Sequence, residues 1–131
     1  MARRSIERYI MERTLVYLAT PYSHKDWDVR ERRFEKVNQV AGELLTRGEI
    51  IFSPISHTHP IAKVCDLPKD WEYWDGLCRA YMACCYKMYV LMIDGWKESV
   101  GVQAEIKIAE EAGMEIVYIK YEDYVKEENR I

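Results

Sequence analysis

Lys87–Ile93 reads KMYVLMI. The run is nearly continuously apolar, as expected of a strand covered on both faces. Upstream of it, Asp70–Tyr86 reads as a helix with Trp71, Trp74, Leu77, Cys78, Tyr81 and Cys85 on one side. Downstream, Ser99–Gly113 reads as another helix and Glu115–Lys120 (EIVYIK) as a further strand. Nearer the N-terminus, TLVYLAT (Thr14–Thr20) is rich in strand formers and is bounded by Pro21. Asp26–Arg47 is a long helix in which Val37, Val40, Ala41, Leu44 and Leu45 recur at helical spacing. Gly48 sits where a C-cap belongs. Glu49–Ser53 (EIIFS) is a strand stopped by Pro54. Residues 54–68 read as a polar loop with three prolines, and loops of that length usually carry a function. The charged tail Tyr121–Ile131 reads as a short, frayed helix.

Strand–helix–strand alternation implies a parallel sheet with right-handed crossovers and helices on both faces. The expected fold class is α/β, a flavodoxin-like or Rossmann-like three-layer sandwich with strand order 2-1-3-4 and room for a fifth short strand. A single domain over residues 1–131 fits the length. In that order the first and third strands are neighbours whose following helices leave to opposite faces. Ligands bind at the carboxyl ends of strands beside such a switch point. Two loops therefore meet at the expected site, Thr20–Asp26 and Asp94–Ser99.

Composition narrows the function classes. The chain has 131 residues, 49% of them hydrophobic and 31% charged, which is ordinary for a globular protein. Nineteen basic and 22 acidic residues provide no electrostatic case for a nucleic-acid polymer as partner. No apolar stretch approaches the ~18 residues of a membrane span, so no membrane partner is expected. The stretch MARRSIERYIMER has no apolar core of a secretory signal. Cys65, Cys78, Cys84 and Cys85 form no disulfide framework and read as reduced, mostly buried thiols of a cytoplasmic protein. A metal centre would need His57, His59 and Cys65 to converge. Their spacing matches no common zinc pattern, so no metal is expected.

The sharpest local signal is Glu105. At ~100° per residue, Val102, Ile106, Ala109, Ala112 and Gly113 share one arc that must face the sheet. Gln103, Lys107, Glu110 and Glu111 cover the solvent side. Glu105 falls inside the apolar arc, where a carboxylate is costly unless paired, protonated or used. It stacks above Gly101, four residues earlier, and helical side chains tilt toward the N-terminus. The carboxylate should then point at the notch beside Gly101. Ser99 is placed as the N-cap, where its hydroxyl and the free amides behind it can meet an anionic or hydroxylated ligand. The competing account makes Glu105 a boundary residue hydrogen-bonded to a tyrosine or a backbone group.

Three blocks at these positions resemble the nucleoside 2-deoxyribosyltransferase superfamily, which includes nucleotide N-glycosidases. They are VYLATPYS (Val16–Ser23), WEYWDGLCRAYMACC (Trp71–Cys85) and the Ser-x-Gly-x-x-x-Glu stretch SVGVQAE (Ser99–Glu105), spanning roughly residues 15–120. The resemblance implies that Glu105 is the nucleophile toward the anomeric carbon, that Tyr17 orients it, and that Asp75 is the carboxylate near base and sugar. Asp75 is also the candidate acid for the leaving base. Ser99 and Gly101 would line the sugar or the 5′ end, and Ala19, Thr20, Pro21 and Tyr22 the substrate loop. The family needs no metal or cofactor, takes a nucleoside or nucleotide as its small-molecule partner, and assembles as homodimers or larger oligomers. Its members work as hydrolases or transferases of nucleotide metabolism.

The chain departs from the family's phosphate-binding members, which carry a glycine-rich loop after the first strand. Here the loop is TPYSHKD (Thr20–Asp26), without glycine. His24, Lys25 and Arg30 are the cationic alternatives, or else ordinary helix-start charges. His57 or His59 is placed to reach a base, with a surface loop as the bland reading. Asp94, in Asp94-Gly95-Trp96, is either a hydroxyl acceptor at the crevice or a turn residue. For Asp75 the bland account is an ion pair with Arg79. Trp71 and Trp74 read as core rather than as stacking platforms. The expected activity is cleavage or transfer of an N-glycosidic bond through Glu105. The alternatives are a non-catalytic nucleotide-binding or sensing module and an NAD-cleaving glycohydrolase.

Overall fold

The computed structural model of the chain describes residues 3–131. Four parallel strands, β1 (Leu15–Ala19), β2 (Ile51–Phe52), β3 (Cys85–Leu91) and β4 (Glu115–Ile119), form one sheet in the order β2-β1-β3-β4. This is the α/β flavodoxin-like arrangement expected from the alternation of elements. β3 begins at Cys85, two residues before the apolar run, with Cys85 opposite Leu15 and a register shift between Leu15 and Val16.

Side-chain alternation along β1 divides the core into two layers. Val16 and Leu18 join Val37, Val40, Ala41 and Leu44 of α2 (Trp27–Thr46) on one face. Burying each of these Val and Leu side chains contributes roughly 2 kcal/mol. Tyr17 and Ala19 point the other way and join Met88 and Val90 of β3 with Val102, Ile106 and Ala109 of α5 (Val100–Glu111). Helix α4 (Trp71–Ala83) lies on the same side and buries only Met82 completely. Thus α2 and α5, which follow neighbouring strands β1 and β3, cover opposite faces, and the crevice between those strands opens at their carboxyl ends.

Residues 54–64 are not loop. They form a helix, α3 (Pro54–Val64). Pro54 occupies the first helical position, where its missing N–H costs nothing, and the Ser53 hydroxyl accepts from Ser56 N at 3.3 Å as the N-cap. Pro60 lies inside the helix, which local chemistry disfavours. Tertiary contacts hold it. Ile55 packs against the α2-side core, and His59 is buried against Trp27 and Phe34 of α2.

A short helix, α1 (Ile6–Met11), precedes the sheet and buries no residue. After β4 the tail makes two single 3-10 turns, Tyr121–Asp123 and Glu127–Asn129, instead of a frayed α-helix or a fifth strand. Only Tyr121 and Val125 of that segment are anchored in the core. The thiols also differ from expectation. All four are free, but only Cys85 is buried, while Cys65 and Cys84 are exposed. Both lie at helix ends, away from the two core layers.

Candidate active site

A cleft of about 770 Å³ opens at the carboxyl end of β1, beside the start of α5. Its volume suits a small organic ligand. Leu18 and Ala19 of β1, with Thr20 just after it, form its floor. Tyr22 of the loop into α2 and Arg30 of the first turn of α2 form one wall. Helix α4 and the first turns of α5 form the other.

Glu105 lines this cleft while remaining buried, with no cationic partner among the described residues. The Tyr17 hydroxyl donates a hydrogen bond to Glu105 Oε2. Burial pushes the Glu105 carboxyl up to about 7, and the Tyr17 hydrogen bond opposes that rise. Burial, followed by the Glu105 charge, raises the Tyr17 hydroxyl well above its ordinary range, so it stays protonated as a donor. Cys78 stands beside the pair, and burial pushes its thiol up to about 11. It is a small polarisable wall group rather than a thiolate.

The other expected site residues divide into two groups. Ala19, Thr20, Tyr22, Ser99 and Gly101 all line the cleft. Ser99 caps α5 through the bond from Val102 N to its Oγ at 3.2 Å. Thr20 Oγ1 is buried without a hydrogen-bond partner, an unmet polar group on the cleft floor. Pro21 is fully buried beneath the loop and does not line the cleft.

Besides Pro21, the expected residues His57, Asp94 and Asp75 lie off the cleft wall. His57 is exposed on the outer side of α3, near Phe52 and Tyr81, because the helix that replaced the loop turns it outward. Asp94 is exposed in a turn closed by Gly95 at φ +92°, and Arg33 packs over that turn. Asp75, partly buried, accepts from Arg79 Nε at 2.9 Å, one helical turn on, and does not line the cleft.

Several cleft residues were read as core or left open between two roles. Trp71, Trp74, Leu77, Cys78 and Tyr81, the apolar stripe of α4, line the cleft, and Tyr81 packs against the core as well. The concentration of tryptophan and tyrosine on one stripe was the available signal, because large flat side chains suit ligand walls as well as cores. Trp74 Nε1 donates to Pro68 O at 2.8 Å, which fixes its ring. Arg30 is 9% exposed, lines the cleft, donates from Nε to the His24 carbonyl and lies over the Trp27 ring. It pairs with no carboxylate among the described residues.

His59, fully buried, joins Tyr22 to Glu31. Its Nδ1 lies 2.6 Å from Tyr22 Oη and its Nε2 lies 2.6 Å from Glu31 Oε2. Lys63 Nζ donates to the other Glu31 oxygen at 3.3 Å. The His59 hydrogen bond holds the Glu31 carboxyl below its ordinary range. Among the described residues no three His, Cys, Asp or Glu side chains are grouped to hold a metal ion. None of the helices among the described residues is long and apolar enough to cross a membrane.

A family model described as "Domain of unknown function (DUF1937)" matches residues 14–121. The chain belongs to the DUF1937 family. The DUF1937 match runs from the start of β1 to the first turn after β4, so it contains the whole sheet and every element that lines the cleft. Helix α1 lies outside it. No curated protein matches the chain.

Proposed function

We propose that this protein cleaves or transfers the N-glycosidic bond of a nucleoside or nucleotide, with Glu105 as the nucleophile. One observation carries the reading. A buried carboxylate without a cation beside it lines a ligand-sized cleft at the switch point and receives a hydrogen bond from Tyr17. The resemblance of SVGVQAE and VYLATPYS to the nucleoside 2-deoxyribosyltransferase superfamily supports the same assignment.

In this reading Glu105 attacks the anomeric carbon and the base departs with a proton, leaving a glycosyl-enzyme. Water or a second base then resolves it. Holding the carboxylate against the anomeric carbon is the main contribution of the fold. Positive charge develops on the sugar in the transition state, which favours the ionised form of a carboxyl poised near 7. Trp71, Trp74 and Tyr81 offer flat surfaces to the base. Thr20 Oγ1 and Ser99 offer hydroxyls to the sugar. Arg30, a mostly buried cation without a protein anion, favours a ligand with a negative end, so a nucleotide suits the cleft better than a nucleoside. Such substrates and the four free thiols fit a cytoplasmic enzyme. Asp75 is turned toward Arg79, which leaves the proton for the departing base to a group on the cleft wall.

The test is base release. The purified protein is incubated with nucleosides, 5′-nucleotides and NAD, and free base is followed by chromatography. Release that disappears in Glu105→Ala supports the reading, and release that survives unchanged excludes Glu105. Ligand binding without release would favour a sensing module, and release of nicotinamide alone an NAD-cleaving enzyme.

A further inference from the structure

His59 is fully buried in a helix whose other histidine is exposed, and both of its ring nitrogens are engaged at 2.6 Å. Ionised Glu31 can only accept, so the Nε2 of His59 carries a hydrogen. The other nitrogen, Nδ1, faces the hydroxyl of Tyr22, and Tyr22 lines the cleft. Trp27 stacks on the imidazole at 5.2 Å and Phe34 lies against it at 4.3 Å, so the ring is held in one orientation. A purely structural histidine needs no partner that lines a ligand cavity. We propose that Tyr22, His59 and Glu31 form a proton relay ending in the cleft, in which Tyr22 protonates the departing base and afterwards deprotonates the water that resolves the glycosyl-enzyme. The proposal rests on Glu105 as nucleophile.

The relay has two states that use the same two contacts. In the first, His59 Nδ1–H donates to Tyr22 Oη and the Tyr22 proton points into the cleft. As Glu105 bonds to the anomeric carbon, the bond from that carbon to the base breaks and its electron pair leaves with the base. The base nitrogen takes the Tyr22 proton, and Tyr22 takes the Nδ1 proton. His59 is then neutral, and its Nδ1 accepts from Tyr22. In the second half, water oxygen bonds to the anomeric carbon and the ester bond to Glu105 breaks, returning its electron pair to the carboxylate. A water proton passes to Tyr22 Oη, and the Tyr22 proton passes to Nδ1, restoring the first state. Glu31 keeps its bond to Nε2 throughout and balances the charge on the ring, while Lys63 holds the other Glu31 oxygen. Tyr22 is the catalytic residue of this relay, and His59 and Glu31 are positioning residues.

Tyr22→Phe removes the terminal hydroxyl, and Glu31→Gln alters the far end of the relay at a part-exposed position. His59→Gln joins them where it folds. Each is compared with the wild-type chain on ordinary nucleotides and on 7-methylguanosine, whose positively charged base departs without being protonated. Each assay is run with and without azide, a nucleophile that has no proton to lose. Tyr22→Phe should lower base release from ordinary nucleotides by about 10²-fold or more. It should approach wild-type rates on 7-methylguanosine when azide is present. Glu31→Gln should show the same pattern in weaker form. A purely structural role would lower both substrates equally with no response to azide, and that result overturns the relay. Unchanged release by Tyr22→Phe, with Glu105 essential, overturns the relay alone. No base release by the wild-type chain overturns the Glu105 reading and the relay with it.

Discussion

Tyr17 and Glu105 lie 88 residues apart in the chain and meet inside it, the tyrosine hydroxyl donating to the carboxylate at the wall of the cleft. Tyr17 points toward α5 because it alternates with Val16 and Leu18, which face α2. Glu105 points toward β1 because it shares the inward arc of α5 with Val102, Ile106 and Ala109. Two independent periodicities, that of a strand and that of a helix, bring the pair together.

The Glu105 carboxyl ties stability to pH. Its folded value of about 7 lies above the ordinary 4.5. Below about 4.5 the group is protonated in both states and costs nothing; as pH rises toward 7 and beyond, the unfolded chain gains a solvated carboxylate that the folded chain accommodates poorly. The stability lost across that window is on the order of 3 kcal/mol. Urea unfolding of Glu105→Gln should show no gain at pH 4.5 and a gain of that order at pH 8.5, with base release abolished. Equal stability of the two chains at both pH values would show that Glu105 is not desolvated in the folded protein.

Tyr17→Phe keeps the ring in the core and deletes the one side-chain donor to Glu105 among the described residues. Stability should fall by about 1 kcal/mol, and turnover by roughly tenfold or more for a lost charge-assisted bond. That hydrogen bond lowers the Glu105 value, so the acid limb of the pH–rate profile should move to higher pH in the variant. Large unfolding with normal specific activity would make Tyr17 a core residue only.

Arg30→Gln tests the anion end of the cleft. Calorimetric affinity for a nucleoside 5′-monophosphate should drop by about tenfold or more, the scale of a hydrogen bond to a charged group. Affinity for the parent nucleoside should change little. A uniform loss for both ligands would place Arg30 in the loop's packing against Trp27 and His24 instead.

Gly101→Ala separates space for the ligand from space for the protein. A Cβ at this position would meet the Trp71 ring at 3.9 Å, an ordinary contact. Alanine is also the better helix former by roughly 1 kcal/mol. The variant should therefore melt at the wild-type temperature or above while losing most of its base release. Full activity would mean that the space beside Gly101 is not used by substrate.

Much of the fold was legible in the residues alone. The apolar run around Met88–Leu91 required a strand covered on both faces, the alternation of elements required parallel crossovers, and together they yielded the order β2-β1-β3-β4. Glu105 stood out because a single carboxylate interrupts an otherwise apolar helical arc, a pattern that needs no coordinates to see. These are local regularities, and local sterics and hydrophobicity impose them on any chain with this pattern. The helical state of residues 54–64 was not legible, because Pro60 argues against it and the packing of Ile55 and His59 against the α2 side offsets that preference. The division of the aromatic stripe of α4 between core and cleft was hidden for a related reason. Periodicity shows that Trp71, Trp74 and Tyr81 share a side, but what lies opposite depends on how far α4 stands from the sheet. Arg30 and Tyr22 meet at the cleft, with His59 buried behind Tyr22, only after three separate segments have packed, so their association belongs to the tertiary structure.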